Sequence, residues 1–129
     1  MKVLTIIQET RPGLLAEITS LLEREQIDVR DIDGEQVGET AVITVRALPY
    51  ERCHDALREA GFKVFAHDQL LIRLVDEPGA LAEISRRLAN AEVDIRSIHI
   101  VGVEEQDCIV ALDTADDFRA RQLLQDLLV

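Results

Sequence analysis

Arg11-Pro-Gly-Leu-Leu-Ala-Glu-Ile18 and Glu77-Pro-Gly-Ala-Leu-Ala-Glu-Ile84 are two versions of one segment within the same chain. They align at an offset of 66 residues without a gap, and ten of 22 positions are identical between 11–32 and 77–98. Similarity at a fixed period is the signature of a duplicated structural unit. The sequence therefore predicts a first module at 1–68 and a second module at 69–129.

The order of apolar patterns is the same in both modules. A short β-branched run precedes each Pro-Gly pair, and apolar residues at helical spacing follow it. Two more strands with a tight turn between them come next, and then a second amphipathic helix. The predicted strands are 3–8, 28–37, 40–47 and 62–66 in the first module, and 70–75, 94–104 and 107–113 in the second. The second helices present Cys53, Ala56, Leu57 and Ala60, and Ala120, Leu123, Leu124 and Leu127.

The predicted fold class is α+β, with two ferredoxin-like (βαββαβ) modules in tandem and helices packed on antiparallel sheet. The offset pairs Leu128 with Phe62, so the second module is expected to lack its last strand or to keep only a stub. Only His67 and Asp68 separate the strand at 62–66 from the next strand, if that strand is taken to begin at Gln69. This spacing suits a tight hairpin. We therefore expect the strand at 62–66 to serve both modules in one seven-stranded sheet.

Composition excludes several classes of function. The net charge is −11, and clustered Lys and Arg, on which nucleic-acid binding depends, are missing. The apolar runs fall far short of the roughly 20 residues that span a bilayer. Cys53 and Cys108 have no CxxC spacing and are expected to be reduced thiols. We expect a cytoplasmic protein with no nucleic-acid or membrane partner.

The candidate chemical groups give no support for catalysis. Cys53 and His54 are neighbours on a predicted helix, so they point to different sides and form no nucleophilic pair. Asp31-Ile-Asp33-Gly-Glu35 resembles part of a calcium loop but lacks its remaining ligands, and a solvated strand and turn is favoured. No phosphate-binding, dinucleotide-binding or metal-binding motif occurs. The protein is predicted not to be an enzyme and to carry no metal or cofactor.

Asp76-Glu-Pro-Gly-Ala-Leu81 resembles the D-x-P-G-x-L signature of ACT domains, the small ligand-sensing modules of many enzymes of amino-acid metabolism. Thr10-Arg-Pro-Gly-Leu-Leu15 is a near match with Thr in place of Asp, and the two segments need not bind with equal affinity. The resemblance covers essentially the whole chain in two copies. It implies the ferredoxin-like order and a regulatory protein that binds a free amino acid.

The resemblance also implies where the amino acid binds, between the Pro-Gly turn and the start of the second strand, often across an interface. Physical chemistry makes that turn a plausible receptor, because the first N–H groups of a helix lack intrahelical partners and favour an anion. The candidate ligand-binding residues are Thr10, Arg11, Pro12, Gly13 and Leu14 with Asp31, Ile32 and Asp33, and Asp76, Glu77, Pro78, Gly79 and Ala80 with Ser97, Ile98 and His99.

Other interpretations remain open for these residues and for the chain. Asp76 suits a helix cap as well as a ligand contact, and a structural or interface role is favoured for His99. The alternative function is a structural or regulatory subunit that docks on an enzyme of amino-acid metabolism without binding a small ligand. Strand segments such as 42–45 and 108–112 are apolar on both sides, so both sheet faces need cover. This predicts a homodimer or a higher even oligomer.

Overall fold

The computed structural model describes the backbone of residues 1–129 and every side chain except that of Glu104. The chain divides into two compact units, Lys2–His67 and Asp68–Val129 with Met1. The elements of the first module are β1 (Lys2–Glu9), α1 (Leu14–Arg24), β2 (Asp28–Val37), β3 (Thr40–Leu48), α2 (Tyr50–Glu59) and β4 (Val64–Asp68). Those of the second are β5 (Leu70–Val75), α3 (Ala80–Asn90), β6 (Ile95–Glu104), β7 (Asp107–Thr114) and α4 (Asp117–Leu123).

The first module contains a four-stranded sheet in the order β2-β3-β1-β4. β3 runs antiparallel to both β1 and β2. Alternate residues of β3 are buried, so one face of the sheet packs on the helices. The core is formed by residues such as Leu4, Ile18, Val45 and Leu57. The predicted ferredoxin-like order is confirmed for this module.

The second module contains a three-stranded sheet in the order β5-β7-β6, which repeats the arrangement of β1, β3 and β2. Its core holds Ile72, Ile84, Val110 and Leu124. A stub of a fourth strand follows α4, because Leu128 bridges Ile72 in antiparallel fashion. The predicted shortening of the last strand is therefore confirmed.

The prediction of one seven-stranded sheet is wrong, since the strands form two separate sheets. β4 belongs to the first sheet, beside β1. The free edge of β5 is occupied instead by the last residues of the chain. Arg73 N–H donates to the Leu127 carbonyl over 2.8 Å, and Val129 N–H donates to the Leu71 carbonyl over 3.0 Å. The stub thus takes the edge that the shared strand was expected to fill.

Two element boundaries also differ from prediction. α4 ends at Leu123, so Leu124 and Leu127 pack on the core from the segment after the helix rather than from its face. The fourth strand is Val64–Asp68 and not 62–66. Phe62 precedes that strand, and its side chain is buried, which explains why an apolar residue stands at this position. Among the described residues, no helix has both the length and the apolar character needed to cross a membrane.

Candidate functional site

The two Pro-Gly turns adopt the same conformation. Gly13 and Gly79 precede α1 and α3 with φ of 81° and 91°, a left-handed region that favours glycine. Their carbonyl groups accept the N–H of Glu17 over 2.9 Å and of Glu83 over 3.0 Å. A Cβ at either glycine would meet nothing within 4 Å. These glycines are therefore required by the backbone turn, not by a close neighbour.

No described side chain caps α1 or α3. The interpretation of Asp76 as a helix cap is therefore wrong. Its backbone N–H donates to the Gln106 carbonyl over 2.6 Å, which ties the turn to the β6–β7 hairpin. Thr10, its counterpart, donates its N–H to the Glu39 carbonyl over 2.8 Å. Uncapped first turns leave helix N–H groups available to other acceptors.

The two halves of the predicted site lie apart within the first module. Asp33 lies opposite Thr44 on β3, and Thr44 lies opposite Thr5 on β1. The Pro-Gly turn instead follows Glu9, four residues further along β1. At about 3.3 Å per residue and about 4.8 Å per strand, this separation is roughly 13 Å along the sheet and roughly 10 Å across it. Asp31, Ile32 and Asp33 therefore do not meet Thr10–Leu14 inside this module.

The second module has the same separation. Ile98 lies opposite Leu112, and Leu112 lies opposite Leu70 at the start of β5. The turn that contains Gly79 follows Val75 at the other end of that strand. Ser97, Ile98 and His99 are thus about 17 Å along the strands from Asp76–Ala80. One small molecule cannot contact both halves in a single module.

A cleft of about 320 Å³ lies against the Pro-Gly turn of the second module. The turn, the first two helical turns of α3, the end of β5 and the stub form its walls. A volume near 300 Å³ is at the lower end for small-molecule sites. The lining residues are Arg73, Leu74, Val75, Glu77, Pro78, Gly79, Ala80, Glu83, Ile84, Arg86, Arg87 and Leu127.

Residues 69–129 match the family described as ACT domain. The second module is an ACT domain. The resemblance proposed from the D-x-P-G-x-L segment is thereby confirmed. The first module shares its element order and its Pro-Gly turn.

Solved structures agree with this fold across both modules. Protein BT0572 from Bacteroides thetaiotaomicron has a TM-score of 0.82 at 21% identity, with 98% of this chain and 89% of that chain covered. The ligand-free regulatory subunit of aspartate kinase from Thermus thermophilus has a TM-score of 0.61 at 15% identity, covering 97% and 91%. At these identities the likeness establishes the fold alone. A search of the curated proteins finds no match.

The ACT-domain cleft is rich in arginine, which the sequence analysis missed. Arg73 Nη1 lies 3.4 Å from Asp107 Oδ2. Arg87 donates to Asp126 over 2.8 Å, to the Leu123 carbonyl over 3.1 Å and to Glu83 over 3.4 Å. Arg86 forms no ion pair with a described side chain. Counting helical turns from Gly79 could have identified the arginines of α3 as cleft residues from the sequence. The position of Arg73 beside them is known only from the fold.

The counterpart turn in the first module has different charges. Arg11 and Glu17 form an ion pair of 2.6 Å there, so the turn residue is bound to the first turn of α1. In the ACT domain, Glu77 takes the place of Arg11, and Glu83 the place of Glu17. Two like charges cannot form that pair. In the first module the turn residue therefore pairs with the glutamate of the first helical turn, whereas in the ACT domain that glutamate, Glu83, lies 3.4 Å from Arg87 instead.

The cysteines belong to the two cores and are not among the residues that line this cleft. Cys53 is fully buried, and burial raises the pKa of its thiol from 9.0 to about 11. Burial, and then the negative charge of Asp76, raise the pKa of Cys108. A raised pKa disfavours the nucleophilic thiolate. Among the described residues, no group of His, Cys, Asp and Glu side chains could hold a metal ion.

Proposed function

We propose that this protein is a non-catalytic regulator that binds a free amino acid at the Pro-Gly turn of its ACT domain. The cleft of about 320 Å³ at that turn carries the proposal. It combines apolar walls with arginine and glutamate, so it offers partners for both the carboxylate and the ammonium of an amino acid. Thr10–Leu14 is the corresponding candidate site in the first module.

The strand segments 31–33 and 97–99 need a second chain to take part in this site, because they lie far from the turn of their own module. In one such arrangement, β6 pairs antiparallel with β6 of a second copy. The two strands then run in opposite directions. Residues 97–99 of one copy therefore lie level with the end of the sheet that carries the Pro-Gly turn in the other copy. We propose a homodimer of this kind, or a higher even oligomer.

The exposed side chains of β6 favour that edge. Ile98, Ile100 and Val103 are 40%, 54% and 58% exposed on the outermost strand of the second sheet. An open apolar edge strand is a template for pairing with another chain. The equivalent strand β2 carries Asp28, Asp31, Asp33 and Glu35 against the single cation Arg30, and charged side chains protect an edge from pairing.

The alternative is a regulatory subunit that docks on an enzyme of amino-acid metabolism without binding a small ligand. It is supported by the likeness to the regulatory subunit of aspartate kinase from Thermus thermophilus. A cytoplasmic location suits either function, since both cysteines are free thiols.

Thermal unfolding in the presence of each standard amino acid separates the two functions. A ligand that binds only the folded chain stabilises it by about 2.7 kcal/mol at a concentration about 100 times its Kd. We expect one amino acid, or a few related ones, to raise the melting temperature with dose. Stabilisation by none of them would favour the docking subunit.

A pair of glycine variants locates the site. Gly79→Ala adds a Cβ to the lining of the cleft as well as straining the turn, and it should lose the response to the amino acid. Gly61→Ala imposes a similar strain, since Gly61 has φ of 92°, but it lies after α2, outside either turn. It should keep the response. Equal loss in both variants would show that the response reports strain and not the site.

A further inference from the structure

Arginines outnumber glutamates in the lining of the ACT-domain cleft, although the chain is acidic. The chain has a net charge of −11, whereas three arginines and two glutamates line the cleft and leave it with one net positive charge. An acidic protein repels anions at long range, so the arginines of the lining can attract an anion only at short distance. The lining therefore offers an anion cationic partners at short range, although the chain as a whole is acidic.

The arginines differ in how far they are already engaged. Arg73 and Arg87 have carboxylate partners outside the cleft lining, Asp107 and Asp126. Arg86 has no ion-pair partner among the described side chains. A guanidinium offers a planar fork of donors that matches a carboxylate with two parallel hydrogen bonds. Arg86 is therefore the residue at which a ligand carboxylate meets the least competition.

The first module has none of these cations at the matching positions. By the offset of 66 residues, Ile7, Ser20 and Leu21 occupy the positions of Arg73, Arg86 and Arg87. The charged pair that remains, Arg11 and Glu17, is closed on itself at 2.6 Å. The Pro-Gly turn of the first module thus has the backbone conformation of the site without these three arginines.

We propose that only the cleft of the second module binds a ligand, and that this ligand is an amino acid with a second anionic group. This inference rests on the proposed function. Such an amino acid carries one net negative charge, and Arg86 is the lining cation that no carboxylate of the described residues already neutralises. Its two carboxylates face Arg86 and the partly engaged Arg73 and Arg87, while its ammonium faces Glu77 or Glu83.

Isosteric pairs of amino acids test the class of ligand. Titration calorimetry of the full chain with aspartate and asparagine, and with glutamate and glutamine, compares ligands that differ in charge but hardly in shape. We expect at least one acid to bind about ten-fold more tightly than its amide, with one ligand per chain. Succinate, which lacks the ammonium, should bind more weakly than aspartate.

Two variants test the assignment to Arg86. Arg86→Gln should weaken binding of the acid to about the level of the amide and leave the amide unchanged. Arg24→Gln, which removes an exposed arginine in the last turn of α1 and outside either Pro-Gly turn, should leave both the affinity and the ratio of one ligand per chain unchanged. Neither residue belongs to a hydrophobic core, so both variants are expected to fold.

The outcomes of these experiments bear on different parts of the proposal. Equal or tighter binding of the amide, or an unaltered preference in Arg86→Gln, overturns the ligand class and leaves the proposed function standing. Two ligands per chain overturn the restriction to the second module. Failure of every amino acid to bind overturns the proposed function, and this inference falls with it.

Discussion

Leu128 lies opposite Ile72 in an antiparallel bridge, and the amides on either side of that pair carry its two hydrogen bonds. Arg73 N–H donates to Leu127 and Val129 N–H donates to Leu71. Because strand amides alternate in direction, the N–H of Leu128 points away from β5. The stub therefore protects every second amide only.

Amide hydrogen exchange should show this alternation. We expect Arg73 to exchange slowly and Val129 to exchange more slowly than Leu128, since hydrogen-bonded amides exchange only when the strand opens. Exchange followed by NMR residue by residue measures it. Fast exchange at Arg73, comparable with that of an exposed turn, would contradict the pairing.

Replacing the turn glycines should reduce stability through the backbone alone. A side chain in the left-handed region costs about 1–2 kcal/mol, and neither Gly13 nor Gly79 has a neighbour that an added Cβ would strike. Gly13→Ala and Gly79→Ala should therefore lower the free energy of unfolding by about that amount each. Denaturant unfolding measures it. Gly102→Ala is the matched control, because Gly102 lies in open space without a positive φ, and it should cost far less.

The apolar edge of the second sheet predicts which substitutions change the assembly. Ile98 and Ile32 are counterparts in the repeat, with exposures of 40% and 37% on β6 and β2. Ile98→Glu should shift a dimer towards monomer, because it places a charge on the pairing edge. Ile32→Glu should not. Light scattering at micromolar concentration gives the mass. A wild-type monomer, or equal effects of both variants, would refute pairing through β6.

The buried thiols predict a loss of stability at high pH. Burial raises the pKa of Cys53 from 9.0 to about 11, so the folded chain retains a proton that the unfolded chain releases. The resulting stabilisation is complete below pH 9 and is lost as the pH rises towards 11. We expect native thiols to resist a thiol reagent near pH 8, and Cys53→Ala to flatten the decline between pH 9 and 11. A decline as steep as that of wild type would assign it to other groups.

The internal repeat carried most of the fold prediction. A short apolar run, Pro-Gly and helical spacing occur twice in the same order, and each of these signals is local. β2, for instance, was predicted at 28–37 and begins and ends there. α4 was predicted less well, because buried Leu124 continues the apolar pattern after the helix has ended. Hydrophobic periodicity indicates which side chains are buried, and side chains that follow a helix can be buried as well.

The candidate site could be predicted only in part. The Pro-Gly turns lie where the sequence placed them, because a turn depends on neighbouring residues. The cleft residues Arg73 and Arg86 were missed, since a strand and a helix bring them together from different parts of the sequence. That residues 97–99 lie far from Gly79 followed only from strand register. The roles of all these residues, and the division into modules at 1–68 and 69–129, stay predictions.

The sequence by itself determined that this chain is a duplication, in what order its elements come, and where its two turns lie. Local periodicity and the conformational needs of glycine and proline are sufficient for these features. Tertiary structure alone decided which segment pairs with the free edge of β5. Two segments, 62–66 and the last residues of the chain, were candidates for that edge, and nothing local distinguishes them. The choice depends on the free energy of the whole packed module, in which Leu124 is buried and Leu128 reaches Ile72.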